Sequence, residues 1–165
     1  MSQSDAAKKT DQIEAQAIDG FYVVGISAMT CNDNGQAAGD INALWQRFYE
    51  ENMLHKIEDR AENVIYAVYS DYEGDHTKPF RVTIGCKTRG AANDLPQGLH
   101  KTHVPSAHYA MFAARGEQPK ALLQTWEGVW KSNLPRTYVA DLEIYGPRFF
   151  EDGLHEILVC VGVKI

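Results

Sequence analysis

The clearest candidate for chemistry in this sequence is a glutamate followed two residues later by a tyrosine. Residues 138–145 read YVADLEIY and alternate as a β-strand does, before a Gly-Pro break. Because strand side chains alternate between faces, Val139, Asp141, Glu143 and Tyr145 share one face, and the other face is predicted to be core. A carboxylate beside aromatic rings suits a bulky organic cation, since the rings attract the cation and the carboxylate supplies the opposite charge.

The same pattern has a plainer interpretation. The wet face of an antiparallel strand often carries Glu and Tyr, so alternation alone leaves Glu143 as either a surface residue or a pocket residue. Trp45, Trp126 and Trp130 lie in segments with helical spacing of apolar residues, where large aromatics usually belong to a core. The pattern favours core for Trp45 and leaves Trp126 and Trp130 open between core and ligand contact.

Other chemistries find little support in the sequence. There is no G-x-S-x-G turn and no Gly-Lys-Ser/Thr phosphate loop. The three cysteines are odd in number and form no C-x-x-C, which disfavours disulfide scaffolds and zinc ribbons. His100 and His103 have H-x-x-H spacing but no acidic or thiol neighbours. We therefore expect no metal and no cofactor.

Composition indicates a soluble, acidic globular protein. The 165 residues suit one domain, and the net charge of −6 comes without a basic cluster, so direct nucleic-acid binding is not expected. No apolar run reaches the ~20 residues that a membrane span needs. The cysteine usage favours a reducing compartment, so we expect a cytoplasmic location. The polar segment 1–12 is expected to be a flexible tail.

Two similar halves are predicted to position the candidate residues. The first half has strands at 21–31, 63–72 and 80–88 and a helix that begins after an N-cap at Asp40. The second half has strands at 100–116, 138–145 and 156–165 and a helix whose first turn contains Pro119. The order strand, helix, strand, strand is thus written twice, in pseudo-repeats at about 13–89 and 100–165 of a single domain.

Residue matches support this duplication. WQRFYEENM at 45–53 aligns with WEGVWKSNL at 126–134, YSDY at 69–72 with LEIY at 142–145, and TIGCKT at 83–88 with CVGVKI at 160–165. This register makes Ser70 the counterpart of Glu143 and places Tyr66 and Tyr72 on the equivalent strand face. Two such units bury their apolar faces against each other, and the seam between them is a natural ligand cleft.

The chain resembles the GyrI-like, or AraC-type effector-binding, family over residues 13–165. The resemblance rests on IYAVYSDYEGD before FRVTIGCKT, on VPSAHYAMFAARG before TWEGVWKSNLP, and on DLEIYGP before EILVCVGVKI. It implies an α+β fold in which duplicated strand-helix-strand-strand units form a curved antiparallel sheet with two main helices and a central ligand cleft. In kind, the chain resembles a stand-alone cationic-drug-binding module encoded on an integron cassette.

The resemblance also implies a binding site. The family's pocket glutamate, which pairs with cationic aromatic drugs, matches Glu143. Aromatic residues of the second helix and of the facing strands line the pocket in relatives, which makes Trp126, Trp130, Tyr66 and Tyr109 candidate ligand contacts. The leading hypothesis is therefore a binding module for amphipathic, aromatic organic cations, without chemical turnover and with an unknown protein partner.

Two alternatives stay open at this point. Some relatives hydrolyse electrophilic small molecules, and Glu143 could act as a general base if burial raises its pKa toward neutrality. A gyrase-inhibitor type of interaction protein is the other alternative, although the negative charges are dispersed along the sequence.

Overall fold

The computed structural model describes residues 12–57, 60–75, 77–89, 95, 97–150 and 154–164. The described strands are β1 (Gln12–Ile18), β2 (Phe21–Thr30), β3 (Ile65–Ser70), β4 (Phe80–Lys87), β5 (His100–Val104), β6 (Ala107–Ala114), β7 (Arg136–Tyr145) and β8 (Ile157–Val163). The described α-helices are α1 (Gln36–Glu50), α2 (Met53–Lys56), α3 (Lys120–Lys131) and α4 (Pro147–Phe150). The predicted tail lies outside the described residues except for Gln12, which begins β1.

The eight strands form one curved, open antiparallel sheet in the order β1-β6-β8-β7-β3-β4-β2-β5. The strand order is symmetric: if β1, β2, β3 and β4 are exchanged with β5, β6, β7 and β8, the order read from the opposite edge of the sheet is the same. The two halves meet at the β3–β7 pair, where Val68 is opposite Leu142. The α+β class with a curved antiparallel sheet is confirmed.

The first strand of each half pairs with the other half. β1 runs into β2 through Asp19 and Gly20 but pairs with β6, and β5 runs into β6 through Pro105 and Ser106 but pairs with β2. The two connections touch, because the Gly20 N–H donates to Ser106 Oγ at 2.7 Å. The prediction of one continuous strand over 100–116 is wrong, since proline lacks the N–H that a strand ladder needs.

Each face of the sheet carries a cluster of buried apolar side chains. α1 and α3 cover the face that carries Ala67, Tyr69 and Tyr145, which we call the helix-side face. The opposite face holds a smaller cluster, comprising Val23, Tyr66, Val68, Val104, Tyr109, Met111, Leu142 and Cys160. A residue's position in the strand alternation therefore decides which of two separate cores it joins.

The two longer helices bury apolar stripes at helical spacing. Leu44 and Phe48 are buried in α1, and Trp126 and Val129 in α3. The prediction that α1 begins after Asp40 is wrong, since the helix already begins at Gln36.

Asp40 has a different partner from the one that an N-cap would have. Its carboxylate accepts the Thr30 hydroxyl at 2.7 Å and the Gln36 side-chain amide at 3.2 Å. It therefore ties the first turns of α1 to the end of β2, rather than capping the helix N-terminus.

Candidate functional site

A cavity of about 610 Å³ opens between α1, α3 and the helix-side face. That volume lies in the range of pockets for drug-sized ligands. Its aromatic walls are Trp45, Tyr49, Tyr69, Tyr72, Phe80, Trp126, Trp130, Tyr145 and Phe149. Within the described part of the chain, the charged residues of the lining are Glu143 and Arg136.

Glu143 lies on the sheet floor of the cavity and is 1% exposed. Its Oε2 accepts hydrogen bonds from the Tyr69 hydroxyl at 2.6 Å and from the Trp126 indole N–H at 2.7 Å. Its Oε1 accepts one from the Tyr145 hydroxyl at 2.6 Å. The donors come from β3, α3 and β7, so the carboxylate is fixed from three directions. None of the ion pairs of the described residues includes it.

Burial and hydrogen bonding act on Glu143 in opposite directions. Burial raises the pKa of its carboxyl, and the hydrogen bonds from Tyr145, Tyr69 and Trp126 lower it, with a net rise. Burial, followed by the nearby Glu143 charge, also raises the pKa of Tyr69 and of Tyr145 well above the ordinary value. Both tyrosines therefore stay protonated and remain donors. Among the residues that the structure describes, the carboxylate has neutral donors around it and no counter-ion.

A second buried carboxylate lies two residues earlier in β7. Asp141 is 0% exposed, and its Oδ2 accepts Arg136 Nη2 at 2.8 Å and the Tyr72 hydroxyl at 2.5 Å. Its Oδ1 accepts the Gly162 N–H at 2.8 Å. Arg136 precedes the segment that alternation predicts as a strand, so this ion pair could not be predicted from the strand pattern.

Three of the five sequence-predicted contacts line the cavity, namely Glu143, Trp126 and Trp130. Trp126 is buried, whereas Trp130 is 38% exposed. Tyr49 of α1 and Leu123 of α3 also line the cavity and are 58% and 54% exposed. The cavity therefore has an aromatic interior and an apolar rim that reaches solvent.

Tyr66 and Tyr109 lie on the opposite face of the sheet, away from the cavity. Tyr66 is opposite Ile144 in the ladder, and its hydroxyl donates to Glu62 at 2.9 Å. The Tyr109 hydroxyl donates to the Pro105 carbonyl at 3.0 Å. Their predicted place beside Glu143 is wrong, because each is at the other phase of its strand.

The ladders show where the predicted register slipped. Ile84 pairs with Ala67. Val161, the match of Ile84 in the aligned segments TIGCKT and CVGVKI, pairs with Asp141. Ala67 and Asp141 are therefore counterparts in the two halves.

Counting two residues further makes Tyr69, rather than Ser70, the counterpart of Glu143. A slip of one residue moves every side chain of a strand to its other face, which is how Tyr66 came to be predicted in the pocket. Tyr69 is the site residue that the sequence missed, because the alignment of β4 with β8 gives this match only together with the ladder pairings. The two counterparts bond directly, a donor from one half and an acceptor from the other.

Trp45 was also missed as a site residue, because helical spacing favoured core. It lines the cavity from α1, with its ring centroid 4.9 Å from that of Tyr145 in an edge contact and 5.9 Å from that of Tyr49 in a stack. Each main helix thus contributes at least one tryptophan that meets a tyrosine of the site.

Within the described ranges, no group of three or more His, Cys, Asp or Glu residues could hold a metal ion. No helix of the same residues has the length and hydropathy needed to cross a bilayer.

A curved sheet, two covering helices and an aromatic cavity with a buried carboxylate define a small-molecule-binding domain. Residues 14–161 match the profile of the Cass2 family, described as integron-associated effector binding proteins, and the chain belongs to that family.

Solved structures agree with this assignment. An integron cassette protein from the mobile metagenome of Vibrio cholerae is 25% identical with a TM-score of 0.69, over 93% of this chain and 96% of its own. SAV2435, solved with tetraphenylphosphonium bound, is 21% identical with a TM-score of 0.73, over 92% and 93%. A putative transcription regulation protein from Staphylococcus aureus MU50 is 20% identical with a TM-score of 0.71, over 92% and 97%. No curated protein is similar enough in sequence to match.

Proposed function

We propose that the cavity binds amphipathic, aromatic organic cations, with Glu143 as the counter-charge and the surrounding rings as stacking surfaces. The observation that carries this proposal is a carboxylate 1% exposed, without a cationic partner among the described residues, in a cavity whose lining includes nine aromatic side chains. The structural likeness to SAV2435, which holds tetraphenylphosphonium, supports the same ligand class.

The energetics of the site favour a positive ligand. A buried charge without a counter-ion is costly, and three neutral donors offset only part of that cost. The face of an aromatic ring is electron-rich, so a cation above that face is stabilised by about 0.5–2 kcal/mol. Tyr69 and Trp126 hold the carboxylate while their rings, 5.4 Å apart between centroids, also form cavity wall. The same groups thus position the charge and stack on the ligand.

The open rim fits amphipathic ligands. Tyr49, Leu123 and Trp130 expose apolar surface beside the cavity, so part of a large ligand can remain outside while its charged centre lies near Glu143. Flat aromatic walls accept many shapes, and a single carboxylate selects for the sign of the charge. We therefore infer a site of broad shape tolerance and strict charge preference.

The hydrogen bonding of Glu143 favours binding over hydrolysis. A general base must accept a proton from water through a free lone pair in good geometry. Three donors already take three of the roughly four lone-pair sites of the carboxylate, so only Oε1 keeps one for a water molecule. The raised pKa is the one feature that suits a base, and the same feature follows from burial alone.

The test compares two ions of nearly the same shape and opposite charge. Tetraphenylphosphonium should bind the wild-type protein, and tetraphenylborate should not, as measured by calorimetry. Glu143→Gln should weaken phosphonium binding at least about tenfold, because it removes one partner of a buried charge pair. Glu127→Gln, an exposed change of the same charge on α3, is the control and should leave affinity unchanged. Equal binding of both ions, or undiminished binding by Glu143→Gln, would refute the proposal.

A further inference from the structure

Arg136 is the second charged residue of the cavity lining, and its hydrogen bonding is incomplete. Its side chain is 4% exposed, and Nη2 bonds Asp141. Nε and Nη1 have no hydrogen-bond partner among the residues that the structure describes. Buried N–H donors are almost always paired in folded proteins, so two unpaired nitrogens on one buried guanidinium call for a physical reason.

The neighbours of Arg136 balance its positive charge but accept no hydrogen bond from Nε or Nη1. The Asp141 carboxylate balances the positive charge. The Tyr138 ring stacks on the guanidinium, with Cζ 4.3 Å from the ring centroid. Guanidinium N–H groups lie in the plane of the group, so a ring over its flat face leaves the donors at the edge unmet. Because the ion pair is neutral overall, a cation can enter the same cavity without strong repulsion.

The covering ring lies in an irregular part of β7. The pairing with β8 changes register between Arg136 and Asp141, and Tyr138, which is half-buried, has the left-handed backbone angle φ 54°. A non-glycine residue in that conformation is less favourable than in an ordinary strand. Nε and Nη1 are covered in this structure, so contact with a ligand requires the packing around this bulge to rearrange.

We propose that Arg136 is a specificity-determining residue that donates a hydrogen bond from Nε or Nη1 to an acceptor group on the ligand. This inference rests on the proposed function and narrows its ligand class to aromatic cations that also carry a carboxylate or carbonyl oxygen. Asp141 and Glu143 are two residues apart in one strand, roughly 7 Å. The acceptor of the ligand is therefore separated from its cationic centre by a short linker.

The test uses two cations that differ in one group, carboxybutyl-triphenylphosphonium and pentyl-triphenylphosphonium. Near neutral pH the carboxylate probe should bind the wild-type protein at least about tenfold more tightly than the pentyl probe, because a charge-assisted hydrogen bond to arginine forms. The double variant Arg136→Met/Asp141→Asn removes the whole ion pair and keeps the net charge. In this double variant the ratio of the pentyl-probe Kd to the carboxylate-probe Kd should fall to about one or below.

A measurement on the wild-type protein keeps the inference falsifiable if the double variant does not fold. The proton–nitrogen NMR signal of Arg136 Nε should move when the carboxylate probe is added, and should stay in place with the pentyl probe. Equal affinities in the wild type, a ratio that persists in the double variant, or an unmoved signal would each overturn the inference.

The outcomes also separate this inference from the proposed function. If both probes bind equally and Glu143→Gln weakens both, the cation site stands and only the role of Arg136 fails. If neither probe binds, the proposed function fails first.

Discussion

Asp141 and Glu143 lie on the same face of the same strand, and both are essentially buried. They differ in the charge of the groups that donate hydrogen bonds to them. Each carboxylate accepts three hydrogen bonds. One of the donors to Asp141 is the guanidinium of Arg136, whereas all the donors to Glu143 are neutral. Hydrogen bonds from neutral donors can thus satisfy a buried carboxylate, but only a cation neutralises its charge. Asp141 has its counter-charge in Arg136, whereas Glu143 has none among the described residues.

The largest expected difference between the two carboxylates is in stability. Asp141→Asn should lower the free energy of unfolding by about 3–5 kcal/mol, because it leaves Arg136 buried without its counter-charge. Glu143→Gln should lower it far less, since it removes a buried charge that has no counter-ion. Urea denaturation followed by circular dichroism measures both values. Similar losses for the two variants would mean that Glu143 has a counter-charge we have not identified.

The next effect concerns the indole that holds Glu143. Trp126→Phe keeps an aromatic ring but removes the N–H donor to Oε2, so the free energy of unfolding should fall by about 1.5–3 kcal/mol. Trp130→Phe on the same helix is the control, and its loss should be smaller because the ring is 38% exposed. A control variant as damaging as Trp126→Phe would show that ring volume, rather than the hydrogen bond, matters.

The pH dependence of stability should also distinguish Glu143. Its pKa is raised in the folded protein, so the protonated form favours folding. The associated stability is fully present below the unfolded-state pKa and is lost as pH rises through the folded-state pKa. Lowering the pH from neutral should therefore stabilise the wild type relative to Glu143→Gln, by about 1.4 kcal/mol per unit of pKa difference. Thermal or urea unfolding at several pH values provides the measurement, and a constant difference would contradict the assignment.

The smallest effect comes from two matched tyrosines. Tyr69 donates to Glu143, and Tyr72 donates to Asp141. Tyr69→Phe removes a bond that lowers the pKa of Glu143, so the pH below which tetraphenylphosphonium binding is lost should rise. Tyr72→Phe should leave that midpoint in place. Calorimetric titrations across pH report both, and a shift in the second variant alone would reverse the assigned roles.

The sequence predicted the parts of the fold that depend on local pattern. Strand-like segments located β2, β3, β4 and β8, alternation located β7, and the apolar stripes located α1 and α3. Alternation also gave the correct shared face for Asp141, Glu143 and Tyr145. These features follow from neighbours within one element, and a single sequence reports such neighbours directly.

The rest depended on pairing between distant segments. Whether Tyr66 or Tyr69 faces the cavity is decided by one residue of register, and the alignment of YSDY with LEIY placed that register one residue out of phase. The ion pair of Arg136 with Asp141 could not be predicted, because a bulge in β7 places the two side chains next to each other. Trp45 has the same helical spacing whether it packs in a core or beside a cavity.

The contact between Gly20 and Ser106 marks the crossing of two exchanged strands, and it has a consequence for assembly. Each half supplies the edge strand of the other, so ordering of the sheet must wait for partners far apart along the chain, which slows folding. A fragment of one half would expose the unfilled edge of β2 while carrying β1 unpaired. A second copy of that fragment has the strand to fill the gap, so the severed half should recover its sheet as a swapped dimer.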